Sequence, residues 1–528
     1  MQRRHFLKQS LVGAALTTVG AFSRSNTSVA VESKDVLNLI GPNASSSHCF
    51  NRMFPDLSKQ GATNPKIEEG LIELGSNMKD DPTKPPTHSP PMAGYTYLGQ
   101  FIDHDLTLDL TPLRLAGKRP VTETPNFRSA RLDLDQVYGG GPDLSPFLYQ
   151  RNCLRGEERF LLGLTVPSFD DGHSFKASLD DLPRNSEGVA LTADPRQDEN
   201  LILAQLHVAF LKLHNLVMER PNLLEASKHY RAAGSTFEAA RRLVSWHYQW
   251  VVRHDFLENV LDPQIFEQMS DAESKAVRYD SRDFRIPVEF SVAAFRFGHS
   301  MVRDEYFVND AHMDVSLESL LQMTDMHAES GNGLSADWVV DWKRFFFVGP
   351  GKHSARRSRA IDTRIAQALH GMPMNLVRPS HVALASKSPF ALEMTNLPVR
   401  TLLRGARVGL PSGQDVAGRL GFQVLNPDEV AEGPDKEILR RYGHDRDTPL
   451  WYYILKEAEL YGKGQRLGPT GSKLVADVIS AALLNDPESY LSVDSKWVPT
   501  MPAKIPGSFG MADLLLFVNE LTKVYQTS

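Results

Sequence analysis

The feature that most constrains the fold is a long helical pattern at residues 200–220, NLILAQLHVAFLKLHNLVMER. Its apolar residues recur at steps of three and four, as on one face of an α-helix: Leu203, Leu206, Phe210, Leu213 and Val217. Similar patterns predict helices at 236–257 and 471–486, and at 287–302, where the sequence is apolar on nearly every side. Strand patterns are few and short. The sequence therefore predicts a mainly α-helical protein with long loops and little β structure.

Composition narrows the class of protein. The chain has 528 residues, of which 41% are hydrophobic and 23% charged, as in ordinary soluble globular proteins. That length suits about three domains or one large helical domain. A net charge of −6 gives no overall positive field for nucleic acid. Cys49 and Cys153 are the only two cysteines, which excludes a disulfide framework and leaves one pairing open.

The first 30 residues resemble a twin-arginine export signal. Arg3 and Arg4 precede a mildly apolar run at 11–22, and small residues before Val31 suit cleavage. The run of about 12 residues is shorter than the roughly 20 that span a bilayer. We expect a signal at 1–30, export to the periplasm or the exterior, and no transmembrane segment. Proline-rich sequence before residue 94 predicts an irregular arm at 31–93, followed by the main domain at 94–528.

A charged triplet stands inside an apolar segment, GQFIDHDLTLD, at residues 99–109. His104 lies between Asp103 and Asp105. If the segment is helical, Gln100 and His104 share one face while the two carboxylates point in other directions. The three titratable groups then have separate environments and separate tasks. The alternative is a solvated turn with a chance cluster of charge.

A second motif, RSARLDLDQVYGGG at 128–141, alternates polar and apolar residues. In an extended segment Ser129, Asp133 and Asp135 face one way. Hydroxyl, carboxylate and backbone carbonyl oxygens are ligands that suit calcium. The spacing is not that of an EF-hand, because no glutamate stands at the twelfth position. A polar strand edge is the simpler alternative.

Two further motifs carry weaker signals. In TADPRQDENLILAQLH, Asp194 and Pro195 form a good helix start, and Arg196 and Glu199 follow three residues apart. A surface ion pair would explain that spacing equally well. In FRFGHSMV, His299 lies in a strongly apolar helical pattern. A lone histidine there is more often a core residue than a metal ligand.

In order and spacing these motifs resemble the animal-type haem peroxidase family. RTLLRGARVGLPSG, LGPTGSKLVADVI and MADLLLFV extend the resemblance over roughly residues 90–520. It implies a helical haem peroxidase-type domain with haem b and calcium as cofactors. The implied activity is that of an oxidoreductase which reduces hydrogen peroxide and oxidises a small donor, such as a phenol, a halide or thiocyanate.

The resemblance also implies roles for residues that match the family's peroxide side. His104 would take a proton from hydrogen peroxide and return it to the departing oxygen. Arg196 would stabilise the negative charge that develops there. Gln100 would hydrogen-bond water or halide. Asp103 and Glu199 match residues that form ester bonds to haem in mammalian members. Asn200 replaces a methionine of mammalian myeloperoxidase, which argues against a sulfonium link and against strong chloride oxidation.

On the other side of the haem, His299 matches the iron ligand and Arg296 is placed to pair with a propionate. Thr401 aligns with the family's asparagine that hydrogen-bonds this histidine, and Asn396, five residues earlier, is the alternative. The calcium ligands implied by the resemblance are Asp105, Ser129, Arg131 through its carbonyl, Asp133 and Asp135.

Three other functions remain open. Fatty-acid dioxygenation occurs within the family and needs a radical tyrosine and an apolar channel. Some relatives combine this domain with cell adhesion, so an extracellular interaction protein with a vestigial haem site is the second alternative. A metal-dependent hydrolase is disfavoured, because the chain has no H-E-x-x-H, no G-x-S-x-G and no phosphate-binding glycine loop.

Overall fold

The computed structural model describes residues 49–59, 64–80, 87–151, 154–170, 173–275, 284–330, 333–347, 355–372, 395–504 and 508–526. The predicted export signal lies outside the described residues, as does Cys153, the second member of the open cysteine pair. Cys49 carries a free thiol.

The described chain is mainly helical, as the sequence predicted. Its helices of seven or more residues are α1 Pro65–Asn77, α2 Gly94–Leu106, α3 Leu201–Met218, α4 Thr236–Val251, α5 Pro263–Lys275, α6 Leu317–Ser330, α7 Leu397–Arg407, α8 Gly413–Leu420, α9 Lys436–Tyr442, α10 Leu450–Leu460, α11 Pro469–Asn485 and α12 Met511–Gln526. The predicted helices at 200–220 and 471–486 are confirmed as α3 and α11.

Shorter elements connect these helices. Single α-helical turns are Asp135–Tyr138, Gly141–Leu144, Pro221–Glu225, Lys228–Arg231, Leu257–Val260, Gly298–Met301, Pro427–Val430 and Tyr490–Val493. The 3-10 turns are Pro55–Leu57, Leu113–Leu115, Val121–Glu123, Pro146–Leu148, Pro195–Asp198, Ala294–Phe297, Ala336–Trp338, Trp342–Arg344 and Gln367–His370. The π turns are Val252–Phe256 and Glu289–Ala293.

The described strands are short and form antiparallel pairs. They are β1 His88–Met92, β2 Ser168–Asp170, β3 His173–Phe175, β4 Glu305–Tyr306, β5 Val315–Ser316 and β6 Arg357–Arg359. β1 pairs with β6, β2 with β3 and β4 with β5. In the first pair His88 stands opposite Arg359 and Met92 opposite Arg357, with an irregularity between them.

Helix α3 is the centre of the core. It begins after Asn200, whose side chain accepts a hydrogen bond from the backbone N–H of Leu203. Every residue from Leu201 to Met218 is buried, because α2, α4, α6 and α12 all pack against it. Its length and mean hydropathy of 1.5 are those of a membrane span, but 94% of that window is buried within the protein. Its apolar surface is therefore buried against the protein's own core.

The prediction of one continuous helix at 287–302 was wrong. The segment is a π turn, a 3-10 turn and an α turn in succession, and Ala293 departs from helical geometry with φ −131 and ψ −72. These changes of pitch turn both Phe290 and Phe295 into the core, where their rings stack 4.6 Å apart. The helix predicted at 236–257 likewise ends at Val251 and continues as a π turn.

The prediction of an irregular arm at 31–93 was wrong in two places. Helix α1 begins there, with Asn64 as its cap and Pro65 at its first position. Leu71 and Leu74 are buried, and α1 packs against α7. Strand β1 includes prolines because it belongs to a pair of edge strands, where a missing N–H is tolerated.

Candidate active site

A cavity of 390 Å³ lies among α2, the turn Pro195–Asp198, the segment 289–301 and α7. Ligand sites commonly have volumes of about 300–1,000 Å³. Motifs nearly 200 residues apart meet there. The predicted site residues that line it are Gln100, Asp103, His104, Arg196, Glu199, Arg296 and His299.

Helix α2 separates the charged triplet as its spacing predicted. Gln100, Asp103 and His104 line the cavity, whereas Asp105 is fully buried on another side of the helix. The side chain of His104 is 5% exposed, and its Nε2 lies 4.0 Å from Glu199 Oε2. The alternative of a solvated turn is wrong.

Asp103 is held within the cavity wall. Its Oδ1 accepts a hydrogen bond of 3.0 Å from the hydroxyl of Thr107, one turn further along. Burial raises the pKa of Asp103, and the positive charges of Arg196 and Arg296 oppose that rise. The carboxyl group therefore faces the cavity beside two cations.

Arg196 is locked by hydrogen bonds. Asp194 caps the turn, and its carboxylate accepts three hydrogen bonds from Arg196. The donors are the backbone N–H at 2.9 Å, Nε at 3.1 Å and Nη2 at 2.7 Å. Nη2 also donates to the carbonyls of His104 and Thr107, at 3.2 and 2.7 Å. Burial alone would raise the pKa of Asp194, but the charges of Arg196 and Arg128 hold that pKa well below its usual range.

The simpler reading of Arg196 and Glu199 as a surface ion pair is wrong. Arg196 pairs with Asp194, and only 14% of its side chain is exposed. The Nη1 group of Arg196 forms no hydrogen bond with the described residues. Because Arg196 lines the cavity, Nη1 is the part of the guanidinium that remains for a ligand.

Three amide and carboxylate groups form a second network. Asn200 Nδ2 donates to Gln100 Oε1 at 3.2 Å, and Gln100 Nε2 donates to Glu199 Oε2 at 3.3 Å. Sequence reasoning weighed Asn200 only as a substitution for methionine. Its position directly before an apolar helix was the signal that it caps α3, and the link to Gln100 required the folded structure.

His299 is neutral in this environment. Burial and the nearby charges of Arg296 and Arg400 lower the pKa of His299 to about 3. Its ring lies edge-on to Trp451, with ring centres 5.8 Å apart. Its Nδ1 is buried and has no hydrogen-bond partner in the part of the chain that the structure describes. A neutral imidazole is the form that binds a metal.

The structure does not place Thr401 as the partner of His299, and that prediction is corrected. The Thr401 hydroxyl donates to the carbonyl of Leu397 at 2.9 Å, within α7, and faces a second cavity of 180 Å³. The alternative, Asn396, caps α7 by accepting a hydrogen bond from the backbone N–H of Val399. Its Nδ2 contacts His370 Nδ1. Alignment of the sequence could not show that the side chains of Thr401 and Asn396 form hydrogen bonds with the backbone of α7.

Two cavity arginines escaped the sequence reasoning. Arg400 and Arg404 line the cavity one turn apart on α7, beside Arg296. Arg404 donates to Asp109 at 2.8 Å and to the Thr111 carbonyl at 3.0 Å. Burial and the charge of Arg404 lower the pKa of Arg296 to about 10. The four-residue spacing in RTLLRGAR was the available signal. Together the three arginines form a wall that suits carboxylate groups.

Three of the predicted calcium ligands also converge. Oxygen atoms of Asp105, Asp133 and Asp135 all lie within 4.8 Å of one another. Neither carboxylate oxygen of Asp105 has a hydrogen-bond partner among the described residues. Burial and the charges of its two neighbours raise the pKa of Asp105 well above its usual value. Burial, with Asp133, likewise raises the pKa of Asp135 to about 7. Such a group of carboxylates, with Asp105 buried and Asp133 and Asp135 partly buried, is costly without a cation.

The loop that carries these ligands is not the extended strand that its alternation suggested. Ala130 and Leu134 have positive φ values of 58° and 59°, which bend the chain twice. The Ser129 hydroxyl donates to Asp133 at 3.0 Å, and Arg131 N donates to Ser129 Oγ at 3.3 Å. Left-handed backbone at non-glycine residues is uncommon and persists where the surrounding structure enforces it. The oxygens converge through these bends rather than through strand alternation.

A buried arginine connects the carboxylate cluster to Arg196. Arg128 Nη1 donates to Asp135 at 3.3 Å, while its Nε and Nη2 donate to Asp194 Oδ2 at 3.1 and 2.6 Å. Asp194 in turn holds Arg196. One carboxylate therefore lies between the two guanidinium groups, and the metal-type cluster is continuous with the cavity. Sequence reasoning did not identify Arg128 or Asp194 as site residues.

Comparison with known proteins finds similar sequences and similar folds. The profile of the animal haem peroxidase family matches residues 111–341, which include Arg196 and His299 but not Gln100 or His104. The chain is 24% identical to chorion peroxidase of Drosophila melanogaster, over 54% of this chain and 33% of that protein. It is 30% identical to thyroid peroxidase of Canis lupus familiaris, over 34% of this chain and 19% of that protein. The matches thus span a third or less of these relatives.

Two solved structures share the fold. Peroxidase A from Dictyostelium discoideum superposes with a TM-score of 0.55 at 14% identity, covering 90% of each chain. The fatty acid alpha-dioxygenase of Oryza sativa superposes with a TM-score of 0.54 at 15% identity, covering 79% of this chain and 72% of that one. At these identities the likeness establishes the architecture alone.

Proposed function

We propose that the chain is a haem-dependent peroxidase that reduces hydrogen peroxide and oxidises a small donor, since its residues 111–341 match the profile of the animal haem peroxidase family. One observation carries the proposal: His104, Arg196 and His299, from three separate elements, line the same cavity. An acid–base group, a fixed cation and a neutral metal-binding imidazole are the parts that peroxide cleavage at haem needs.

The cavity residues fit a haem group. His299 has a neutral imidazole for the iron, and Arg296, Arg400 and Arg404 offer positive charge for the propionates. When bound, haem supplies the iron at which peroxide gives up two oxidising equivalents. The chain's own contribution is to hold that group and to control protons and charge around it.

His104 is the proposed acid–base residue. A neutral imidazole would accept the proton of hydrogen peroxide and return it to the oxygen that leaves as water. Such a positioned group typically contributes about 10²–10⁴-fold to the rate. Arg196 would direct its Nη1 hydrogens at the developing negative charge. Because Asp194 and two carbonyls already hold its other nitrogens, no reorganisation is needed during the reaction.

We further propose that Asp103 and Glu199 can form ester bonds to haem methyl groups, since both line the cavity. Each ester replaces a methyl C–H bond by a C–O bond, with release of one proton and two electrons, and hydrogen peroxide is the oxidant. After peroxide treatment, denaturing chromatography should retain haem on the wild-type chain. Asp103→Asn and Glu199→Gln should each release part of it, and haem fully extractable from the treated wild type would contradict the proposal.

Calcium is the proposed occupant of the carboxylate cluster of Asp105, Asp133 and Asp135 with Ser129 and the Arg131 carbonyl. The support is chemical: oxygen ligands, a buried carboxylate with no hydrogen-bond partner among the described residues, and a bent loop that gathers them. Purified protein should contain about one calcium per chain by elemental analysis. Asp105→Asn should abolish that content, while Asp109→Asn, on a neighbouring position outside the cluster, should not.

The peroxidase assignment is favoured over fatty-acid dioxygenation by sequence rather than by fold. The dioxygenase and peroxidase structures superpose equally well, but the sequence relatives above are named peroxidases. Oxygen uptake with palmitate and no added peroxide would favour the dioxygenase. An adhesion protein with a vestigial site would neither turn over peroxide nor consume oxygen.

We also propose that the protein is exported by the twin-arginine route, on the strength of Arg3, Arg4 and the short apolar run after them. Expressed with its first 30 residues, the wild-type chain should be recovered outside the cytoplasm. Replacement of both arginines by lysine should retain it inside. N-terminal sequencing of the exported form would locate the cleavage point.

The decisive experiment is an absorption spectrum of the haem-loaded protein before and after hydrogen peroxide, and then after a phenolic donor. A Soret band that shifts with peroxide and recovers with donor would establish turnover. His299→Ala should weaken haem binding, whereas His104→Ala should keep haem but slow the response to peroxide at least about 10²-fold. His312→Ala is the control, since His312 pairs with Asp337 and does not line the cavity. A folded wild type that binds no haem would refute the proposal.

A further inference from the structure

The second cavity, of 180 Å³, takes no part in the function proposed so far. Its lining extends from the surface, where Ile67 and Asp447 are exposed, to Trp451, which is only 2% exposed. Val292 lines both this cavity and the larger one, so the two spaces share a wall. The second cavity therefore reaches from the outside of the protein to the wall of the candidate active site.

Trp451 connects the second cavity with His299. The indole ring lies edge-on to the imidazole, with ring centres 5.8 Å apart. Its Nε1–H donates at 3.1 Å to the carbonyl of Arg296, three residues before His299. The indole is thus held against the segment that carries His299, while it also lines the second cavity. A molecule in that cavity would be one aromatic ring away from His299.

The walls of the second cavity are mainly apolar. Its buried apolar side chains include Leu71 of α1, Leu402 of α7, and Leu450 and Trp451 of α10. At the mouth, the ammonium group of Lys59 pairs with the carboxylate of Asp447, so that their charges cancel. An apolar cavity of about 150 Å³ is large enough to bind benzene. The space therefore suits an uncharged molecule with one aromatic ring.

One buried polar atom of this lining lacks a partner. His444 is 6% exposed, and its Nε2 has no hydrogen-bond partner within the described part of the chain. Burial lowers the pKa of His444, so its imidazole is neutral at neutral pH. The hydroxyls of Thr401, Ser412 and Thr448 already donate to other groups of the chain. An imidazole nitrogen donates or accepts according to its tautomer, and a ligand hydroxyl can satisfy either form.

We propose that the second cavity binds a small phenol, with its ring against Trp451 and its hydroxyl at His444, and that Trp451 carries an electron from this phenol toward His299. The inference rests on the proposed peroxidase function and deepens it by giving the organic donor a binding site of its own.

The proposed electron transfer balances as follows. Trp451 gives up one electron toward His299 and regains one from the phenol, whose hydroxyl proton passes to His444 and then to solvent. Two phenols in turn supply two electrons and two protons to one hydrogen peroxide, which becomes two waters. Each phenol leaves as a neutral phenoxyl radical.

Binding is tested on the haem-loaded protein without peroxide, by fluorine NMR titration with para-fluorophenol and para-fluorotoluene. The two probes have nearly the same shape, but only the phenol has a hydroxyl. The wild type should bind the phenol more tightly, by up to about tenfold for one hydrogen bond. His444→Gln should keep this preference, because its carboxamide reaches the position of Nε2. His444→Asn should lose it, because its carboxamide reaches only the position of Nδ1.

The comparison of two probes in each variant cancels any general loosening of the cavity. Equal affinities of the wild type for the two probes would overturn the inference. The same preference in His444→Gln and His444→Asn would place the phenol elsewhere and would overturn it as well.

The electron route is tested by comparing the oxidation of para-fluorophenol with that of iodide, an ion that an uncharged apolar cavity does not attract. Ala406→Leu fills part of the second cavity, so the rate with phenol relative to iodide should fall at least about tenfold. Ala368→Leu is the matched control, since Ala368 is also half-buried but lines neither cavity. An equal loss with both donors in Ala406→Leu would contradict the route.

Failure of the inference and failure of the peroxidase function give different results. Iodide oxidation by a wild type that shows no binding of para-fluorophenol would refute the inference alone. Binding of para-fluorophenol through His444, with oxidation of neither donor, would refute the peroxidase function together with the electron route and would support the binding site.

Discussion

The two sides of the cavity are built differently. On the side of His104, a regular helix and a capped turn hold the polar groups, and Arg196 and Gln100 are each fixed by hydrogen bonds within the chain. On the side of His299, three short turns of different pitch succeed one another, and its Nδ1 has no partner among the described residues. One side is preorganised by polar contacts, and the other by packing.

Because of this difference, we expect substitutions on the two sides of the cavity to have effects of different size. The orientation of Arg196 depends on a buried charge pair, which is costly to break and continuous with the carboxylate cluster through Arg128. The orientation of His299 depends on its contact with Trp451 and on the turns that carry it. Polar substitutions should therefore have large effects on the first side and small effects on the second.

The largest effect is expected for Asp194→Asn. It leaves two buried guanidinium groups, Arg128 and Arg196, without the carboxylate that they share. Breaking a buried pair in this way typically costs about 3–5 kcal/mol of unfolding free energy. Loss of a fixed donor should also slow the reaction with peroxide about 10²–10³-fold. Urea unfolding and stopped-flow spectra at the Soret band measure the two effects.

Asp198→Asn is the matched control for this change. Asp198 lies in the same turn, but its carboxylate pairs with Arg184, at 2.8 and 3.1 Å, and not with Arg196. It should lower stability while leaving the peroxide rate of the remaining folded protein near that of the wild type. If both variants lost the rate equally, general loosening of the turn would explain the result and the proposed role of Asp194 would be wrong.

The next effect in size is expected on removal of the proposed calcium. A chelator should lower the melting temperature, since a ligand that binds only the folded state stabilises it by about 2.7 kcal/mol at 100 times its dissociation constant. Because Arg128 bonds both Asp135 and Asp194, the peroxide rate should fall as well. Calcium should restore both properties. A fall in stability with no change in rate would show that the cluster and the cavity are independent.

A smaller effect is expected for Arg128→Met, which removes that connection but leaves Asp194 paired with Arg196. The unfolding free energy should fall by about 1–3 kcal/mol, the penalty of leaving one buried partner less satisfied. More specifically, the peroxide rate should no longer respond to added calcium. Arg184→Met, which breaks an ion pair of similar burial elsewhere, should keep the calcium response.

These contrasts also explain what the sequence could predict. The central helix and the shared face of Gln100 and His104 follow from local spacing, and the structure has them. The cap did not: the sequence placed the helix start at Asp194, which caps the preceding 3-10 turn, and Asn200 caps the helix. The broken segment before His299 and the bends at Ala130 and Leu134 do not, because packing of the whole core sets them. The partners of Arg196 were likewise hidden, since Asp194 was explained by capping alone.

The smallest effect is expected for Thr401→Val. An aligned sequence made Thr401 the partner of His299, but its hydroxyl bonds the Leu397 carbonyl within α7. Loss of the hydroxyl leaves no buried donor without a partner, so the unfolding free energy should change by less than about 1 kcal/mol. The Soret band and the peroxide rate should stay near wild type, because packing rather than this hydroxyl holds His299. A large loss of either would mean that Thr401 turns to His299 once haem is bound. Polar contacts would then hold the functional groups on both sides of the cavity.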